Sequence, residues 1–131
     1  MSQDQELIKK FSDSISNNIK LSNYSWFNLG GPAEYLFRPD NKKQIIEFLK
    51  ENKKNKYKIT ILGAGSNTLI RDKGVRGVVI KLGSDFSKIN LLNKNTIQAG
   101  AGLLDRKISN FAKDNGVGDL EFLSCIPGSI G

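Results

Sequence analysis

Lys58-Ile59-Thr60-Ile61-Leu62 runs straight into Gly63-Ala64-Gly65-Ser66-Asn67. The first five residues read as a strand, rich in β-branched and aliphatic side chains. Two glycines one residue apart free the backbone to take positive φ and leave no side chain between it and a ligand. Successive N–H groups in such a turn can face one concavity and bind phosphate oxygens. Ser66 and Asn67 add side-chain donors at the rim. The junction points to a nucleotide diphosphate held at the C-terminal end of a strand.

Two familiar nucleotide loops do not fit. A dinucleotide fingerprint needs Gly-x-Gly-x-x-Gly between a strand and a crossover helix. Here Thr68 occupies the third glycine position, and Leu69-Ile70-Arg71-Asp72-Lys73-Gly74 is too short and turn-rich for a helix. A P-loop is excluded because no Gly-Lys-Ser/Thr triplet exists. Asn67 to Arg71 reads as a further short strand, closed by the turn at residues 72–74. The loop would then bind phosphate on backbone amides alone, without help from a helix dipole. A second Gly-Ala-Gly at residues 100–102 follows a strand and precedes a helix, but has Asp105 in the third position. It reads as a structural turn that is free to line the same cleft. The end of the chain, Cys125-Ile126-Pro127-Gly128-Ser129-Ile130-Gly131, is a tight turn carrying a hydroxyl. A surface turn and a second wall of the phosphate site are equally compatible with it.

Outward from the junction, Leu7, Phe11 and Ile15 recur at helical spacing and predict an N-terminal helix over residues 4–16. Residues 19–27 read as irregular, and Asn28-Leu29-Gly30-Gly31-Pro32 as a turn. Ala33 to Arg38 reads as a strand. Asn41 with Gln44 resembles a capping box that opens a helix with Ile45, Phe48 and Leu49 on its apolar face, fraying near Asn52. Gly77 to Leu82 is a β-branched strand. Lys88–Leu92 and Thr96–Ala99 form a hairpin turning at Asn93-Lys94-Asn95. Leu104, Ile108, Phe111 and Ala112 define a last helix, capped near Asn115-Gly116. The expected fold class is α+β. The expected organisation is an N-terminal helix or extension over 1–18, a first subdomain over 19–83 and a second over 84–131.

Composition sets bounds on this reading. The 131 residues are 38% hydrophobic and 25% charged, as in ordinary soluble domains. A single cysteine rules out an internal disulfide framework and fits a reducing compartment, so a cytoplasmic location is expected. No apolar run has the length of a membrane span. The net charge of +7 raises the question of nucleic acid. Much of it follows one helix, at Lys50, Lys53, Lys54, Lys56 and Lys58, with no aromatic residue interleaved, so a solvated face is expected.

Four groups of motifs together carry a resemblance. They are Asn23-Tyr24-Ser25-Trp26-Phe27 with Gly30-Gly31-Pro32-Ala33; Leu62 to Leu69; Arg76-Gly77-Val78-Val79-Ile80; and Gly118 to Gly131. In order and spacing they resemble the N-terminal half of the UDP-N-acetylenolpyruvoylglucosamine reductase family. The resemblance implies an FAD-binding fold of the vanillyl-alcohol-oxidase type, with two small α/β subdomains clasping FAD. It implies that Gly63, Ala64, Gly65, Ser66 and Asn67 meet the diphosphate, and that Ile126, Pro127, Gly128 and Ser129 line the FAD cleft. The family reaction draws hydride from NADPH through FAD to the double bond of UDP-N-acetylglucosamine enolpyruvate, for peptidoglycan synthesis. The family's arginine, serine proton donor and glutamate lie beyond the segment that matches Gly131, so no catalytic residue is expected here. The chain is read as an N-terminal fragment that does not complete the reaction alone.

Other conspicuous residues have plainer roles. Cys125 has no histidine to activate it, since the chain contains none, and reads as a small semi-buried residue; FAD is expected to be noncovalent. Asp119 and Glu121 read as structural, and Trp26 and Tyr24 as core packing. Two alternatives stand beside the enzyme fragment: a noncatalytic flavin- or nucleotide-binding module of the same fold, and a basic RNA-binding domain.

Overall fold

A computed structural model of the chain describes residues 3–131. In chain order it contains α1 (Gln3–Lys10), β1 (Ile15–Lys20), β2 (Pro32–Phe37), α2 (Lys42–Asn55), β3 (Ile59–Ile61), β4 (Val75–Ile80), β5 (Ile89–Asn93), β6 (Thr96–Ala99) and α3 (Asp105–Asp114). Short 3-10 turns lie at Leu21–Tyr24, Ser84–Ser87 and Glu121–Cys125.

The first sheet has the order β1-β2-β4-β3, with β1 antiparallel to β2 and the other pairs parallel. Its central strands are covered on both faces, which is why they read as near-continuous apolar runs. Phe37, Val78 and Ile80 face α1 and α2 and pack with Leu7, Phe11, Ile15 and Phe48. Ala33, Leu36 and Val79 face the other way and pack with Leu21, Leu62 and Ile70. Leu62 leads the glycine loop off on the face opposite the helices. Parallel neighbours β3 and β4 need a crossover. Residues 62–74 supply it without any helix, as the missing fingerprint implied.

The N-terminal helix is shorter than its periodicity suggests. It ends at Lys10, and the N–H groups of Ser14 and Ile15 both close on the Phe11 carbonyl at 2.9 and 2.8 Å. Residues 15–20 then pair with β2, Ile15 opposite Phe37. Leu7, Phe11 and Ile15 are all buried, but Ile15 reaches the core from a strand. Strand pairing won over helix continuation, and residues 15–18 join the first sheet instead of an extension. The strand expected at 67–71 is absent. Its backbone is claimed by other loops: the Thr68 carbonyl by Ser25 Oγ at 3.2 Å, and the Arg71 carbonyl by the N–H groups of Gly31 and Gly74 at 3.0 and 2.9 Å.

At the start of α2, Asn41 Oδ1 accepts the Gln44 N–H at 3.0 Å, as in a capping box. The Gln44 side chain returns to the Asp40 N–H at 2.6 Å instead, one residue earlier than the standard box. Phe48 is fully buried, whereas Leu49 and Ile46 are about two-fifths exposed, so Leu49 is not on the core face. Asn52 does not fray. It is buried and its side-chain amide spans the end of the helix, donating to the Tyr57 carbonyl at 3.0 Å and accepting the Tyr57 N–H at 3.1 Å. Lys56 takes the left-handed conformation, φ 55°, that terminates the helix. Asn52→Ala should therefore lower the unfolding free energy by about 1–2 kcal/mol in urea denaturation, the range for losing buried hydrogen bonds. The lysines in the last turns of this helix and just after it, Lys50, Lys53, Lys54, Lys56 and Lys58, are all exposed.

Beyond Gly83, β5 and β6 form the expected hairpin, its turn held by Asn93 Oδ1 on the Asn95 N–H at 2.9 Å. α3 buries Ile108 and Ala112. Leu104 precedes that helix and is 44% exposed, so it is not part of the helix's apolar face. No helix among the described residues is long and apolar enough to cross a membrane.

Candidate functional site

The C-terminal ends of β3 and β4 lie side by side, and the crossover leaves the sheet there. This is where α/β sheets place ligands. Gly65 has φ +70°, and a Cβ on it would fall on the Tyr24 carbonyl oxygen. The close approach is fastened by the Trp26 N–H donating to the Gly65 carbonyl at 3.0 Å. Ser25, buried beneath, donates its hydroxyl to Thr68. The residues 23–27 motif is thus the floor on which the glycine loop rests.

Few of the loop's backbone groups are paired within the chain. The carbonyls of Gly63, Gly65 and Thr68 accept hydrogen bonds from Lys81, Trp26 and Ser25. Among the described residues, none of the five backbone N–H groups from Gly63 to Asn67 has an acceptor within the chain. A run of free amides in a glycine-bearing turn is a feature that can bind an anion.

The segment at residues 126–131 lies against this loop. Ser66 Oγ donates to the Pro127 carbonyl at 2.5 Å, and Ser129 Oγ sits 3.0 Å from where a Gly63 Cβ would be. Residues 101–105 hold the segment on its other side: Asp105 N–H to Gly128 at 3.2 Å, Ile130 N–H to Leu103 at 2.9 Å and Gly131 N–H to Ala101 at 2.9 Å. A Cβ on Gly128 would press on the Asp105 carboxylate at 2.6 Å. A cavity of about 230 Å³ opens between Gly63, Ala64, Lys81, Ala101, Gly102 and Ser129. A second, of about 370 Å³, runs past Trp26, Arg106 and Ile126 to Gly128, and both touch Leu104.

Most of the residues singled out from the sequence are therefore brought together, and the second Gly-Ala-Gly lines the cleft. Three roles differ from expectation, those of Ser66, Cys125 and Trp26. The Ser66 hydroxyl hydrogen is committed to Pro127, leaving that residue its backbone N–H for a ligand. Asn67 is exposed, with its side-chain amide unpartnered among the described residues. Cys125 is exposed, where a semi-buried thiol was expected. Trp26 is 64% exposed and lines the second cavity, so it is not a core residue; Tyr24 does pack against the buried cluster.

Sequence reasoning missed Lys81. Its position one residue past β4, beside the end of β3, was the available signal. Its ammonium donates to the Gly63 carbonyl at 2.6 Å and stands 5.9 Å from the centre of the Tyr24 ring. Partial burial, and secondly the charge of Arg38, hold its pKa below the usual lysine value. Among the described residues it has no carboxylate partner.

Comparison with known proteins agrees with this geometry. A family described as FAD binding domain matches residues 33–131. The chain belongs to the FAD binding domain family. It is 53% identical over 130 residues to the UDP-N-acetylenolpyruvoylglucosamine reductase of Pelagibacter ubique, covering 96% of this chain and 43% of that protein. The reductase of the same name from Orientia tsutsugamushi is 42% identical over 127 residues, covering 95% and 42%. The chain thus spans about two-fifths of the length of these curated relatives. The crystal structure of the Thermus caldophilus UDP-N-acetylenolpyruvylglucosamine reductase superposes with a TM-score of 0.69 at 28% identity, over 88% of this chain and 39% of that one. p-Cresol methylhydroxylase, at 14% identity and a TM-score of 0.57, shares the fold. The α+β, FAD-binding fold expected from the sequence is therefore the one observed.

Proposed function

We propose that this chain is the FAD-binding part of a UDP-N-acetylenolpyruvoylglucosamine reductase, and that the loop from Gly63 to Asn67 binds the diphosphate of noncovalent FAD. The row of unpaired amides carries the reading. The residues present suit such a group: the loop has a run of free amides, Gly65 admits no side chain, and the adjacent ammonium of Lys81 lacks a counter-charge among the described residues. Ile126, Pro127, Gly128 and Ser129 would form the opposite wall, with residues 19–83 and 84–131 as the two clasping halves.

In this reading FAD held by these residues would supply hydride-transfer chemistry between NADPH and the enolpyruvyl double bond of the UDP-sugar. The chain's own part is to bind and orient. The amides from Ala64 to Asn67 hold the diphosphate, Ser66 fixes the distance between the two walls through Pro127, and apolar Leu104 and the Trp26 ring exclude water at the cleft's edge. The reduction is a cytoplasmic step of peptidoglycan synthesis.

The test is a flavin-fluorescence titration of the chain with FAD, alongside Ala64→Asp. Ala64 lines the smaller cavity, half-buried. A carboxylate there would face the diphosphate at short range and low dielectric, which should weaken FAD binding by about tenfold or more. Folding should be little affected. Equal FAD affinity in Ala64→Asp would remove the diphosphate from this loop.

A further inference from the structure

We propose that Lys81 is a positioning residue for diphosphate binding, locking the peptide plane between Gly63 and Ala64 so that the Ala64 N–H faces the ligand. The inference rests on the reading of the loop as a diphosphate site and goes beyond it, because Lys81 acts on the amide cradle from behind.

The argument starts from peptide geometry. In a trans peptide the carbonyl and the N–H point in opposite directions, and this chain has no cis bonds among its described residues. Whatever holds the Gly63 carbonyl therefore aims the Ala64 N–H. Among the described residues the Gly63 carbonyl is held by one group, the Lys81 ammonium at 2.6 Å. A glycine before the plane has wide freedom of rotation, so without that bond the plane can turn over. A turned plane would present a carbonyl oxygen to the phosphates, replacing attraction by repulsion.

The position of Lys81 is hard to explain on stability grounds alone. The side chain is partly desolvated and feels the like charge of Arg38, and both effects disfavour its protonated form. It gains no ion pair within the described residues. A lone cation kept at the rim of an apolar-lined cavity is favourable once an anion enters that cavity. The face of the Tyr24 ring restrains the ammonium meanwhile. The ammonium stays on the carbonyl side of the plane, so its charge reaches the ligand through space and not by direct contact. One side chain thus sets the plane and adds charge.

The experiment compares Lys81→Met and Lys81→Arg with the unaltered chain, titrating FAD and then displacing it with inorganic diphosphate. Lys81→Met is expected to weaken FAD binding by about tenfold or more, the range for losing a charge-assisted hydrogen bond. It should also flatten the salt dependence of binding. Lys81→Arg, which keeps charge and donors, is expected to stay within about threefold of the original. The thermal midpoint of the FAD-free chain should hold in both variants, since a merely structural lysine would lower it in Lys81→Met. If the unaltered chain binds FAD and Lys81→Met binds it equally well, the clamp is refuted. It is refuted as well if affinity falls only in step with the thermal midpoint and Lys81→Arg gives no rescue. If the unaltered, folded chain binds no FAD, the diphosphate reading itself fails, and the clamp with it.

Discussion

Gly65→Val is expected to abolish FAD binding and to destabilise the chain by about 3 kcal/mol, the upper range for strain stored in one backbone position. Two effects add at this residue. Its φ of +70° is disfavoured for any L side chain and most for a β-branched one. Its Cβ would also coincide with the Tyr24 carbonyl oxygen, so the loop must lift off the residues 23–27 floor. Lifting breaks the bond from the Trp26 N–H and disperses the amides. Gly116→Ala is the control that separates these effects. Gly116 has a similar φ of +66° but nothing within 4 Å of its Cβ position. That variant should cost only about 1 kcal/mol, the left-handed penalty alone, and leave FAD affinity unchanged. Urea denaturation and flavin titration of the two variants measure both quantities. Normal flavin content in Gly65→Val would contradict the assignment of this loop.

Phe48→Ala should produce the largest loss of stability, about 3–5 kcal/mol, against the 5–15 kcal/mol typical of a whole domain. Phe48 has no exposed surface. Its ring lies 4.4 Å from the centre of Phe37, and 5.5 Å from that of Phe11 at an interplanar angle of 78°. Truncation would leave a cavity bounded by two other rings and a sheet, none of which can collapse into it without moving the backbone. Leu49→Ala, next along the helix, should cost under about 1 kcal/mol because that side chain is two-fifths exposed. The two rings and the glycine loop lie on opposite faces of the sheet. At temperatures where Phe48→Ala remains folded, its FAD affinity should match that of the original chain. A drop in affinity larger than the folded fraction explains would show that the faces are coupled.

What the sequence revealed follows from the range over which each signal acts. Local chemistry was legible: the Asn41 cap, the hairpin at Asn93–Asn95 and the glycine junction each depend on a few adjacent residues, and each stands where expected. Side-chain periodicity was less decisive, because Leu7, Phe11 and Ile15 satisfy a helix and also a helix followed by a strand. Only pairing with Phe37, twenty-two residues on, chooses between them. The absence of a strand at 67–71 has the same origin, since Ser25 and Gly31 take its backbone groups from a distant segment. At the site, the glycine junction could be named from its own residues, whereas residues 126–129 were assigned only through the resemblance. Lys81 could be named from neither, as its role comes from a carbonyl eighteen residues earlier in the chain.

The bond from Ser66 to Pro127 spans sixty-one residues and joins the two walls of the cleft. On the ribosome, that separation becomes a delay. The sheet, its helices and the glycine loop can assemble once β4 has been made, but the second wall does not exist until residue 127 has emerged. The growing chain thus carries an open, donor-rich loop well before it can enclose anything. Contacts of such sequence separation are among the last and slowest to form. Closure of this cleft therefore follows the assembly of the first sheet, and the glycine loop stands open until then.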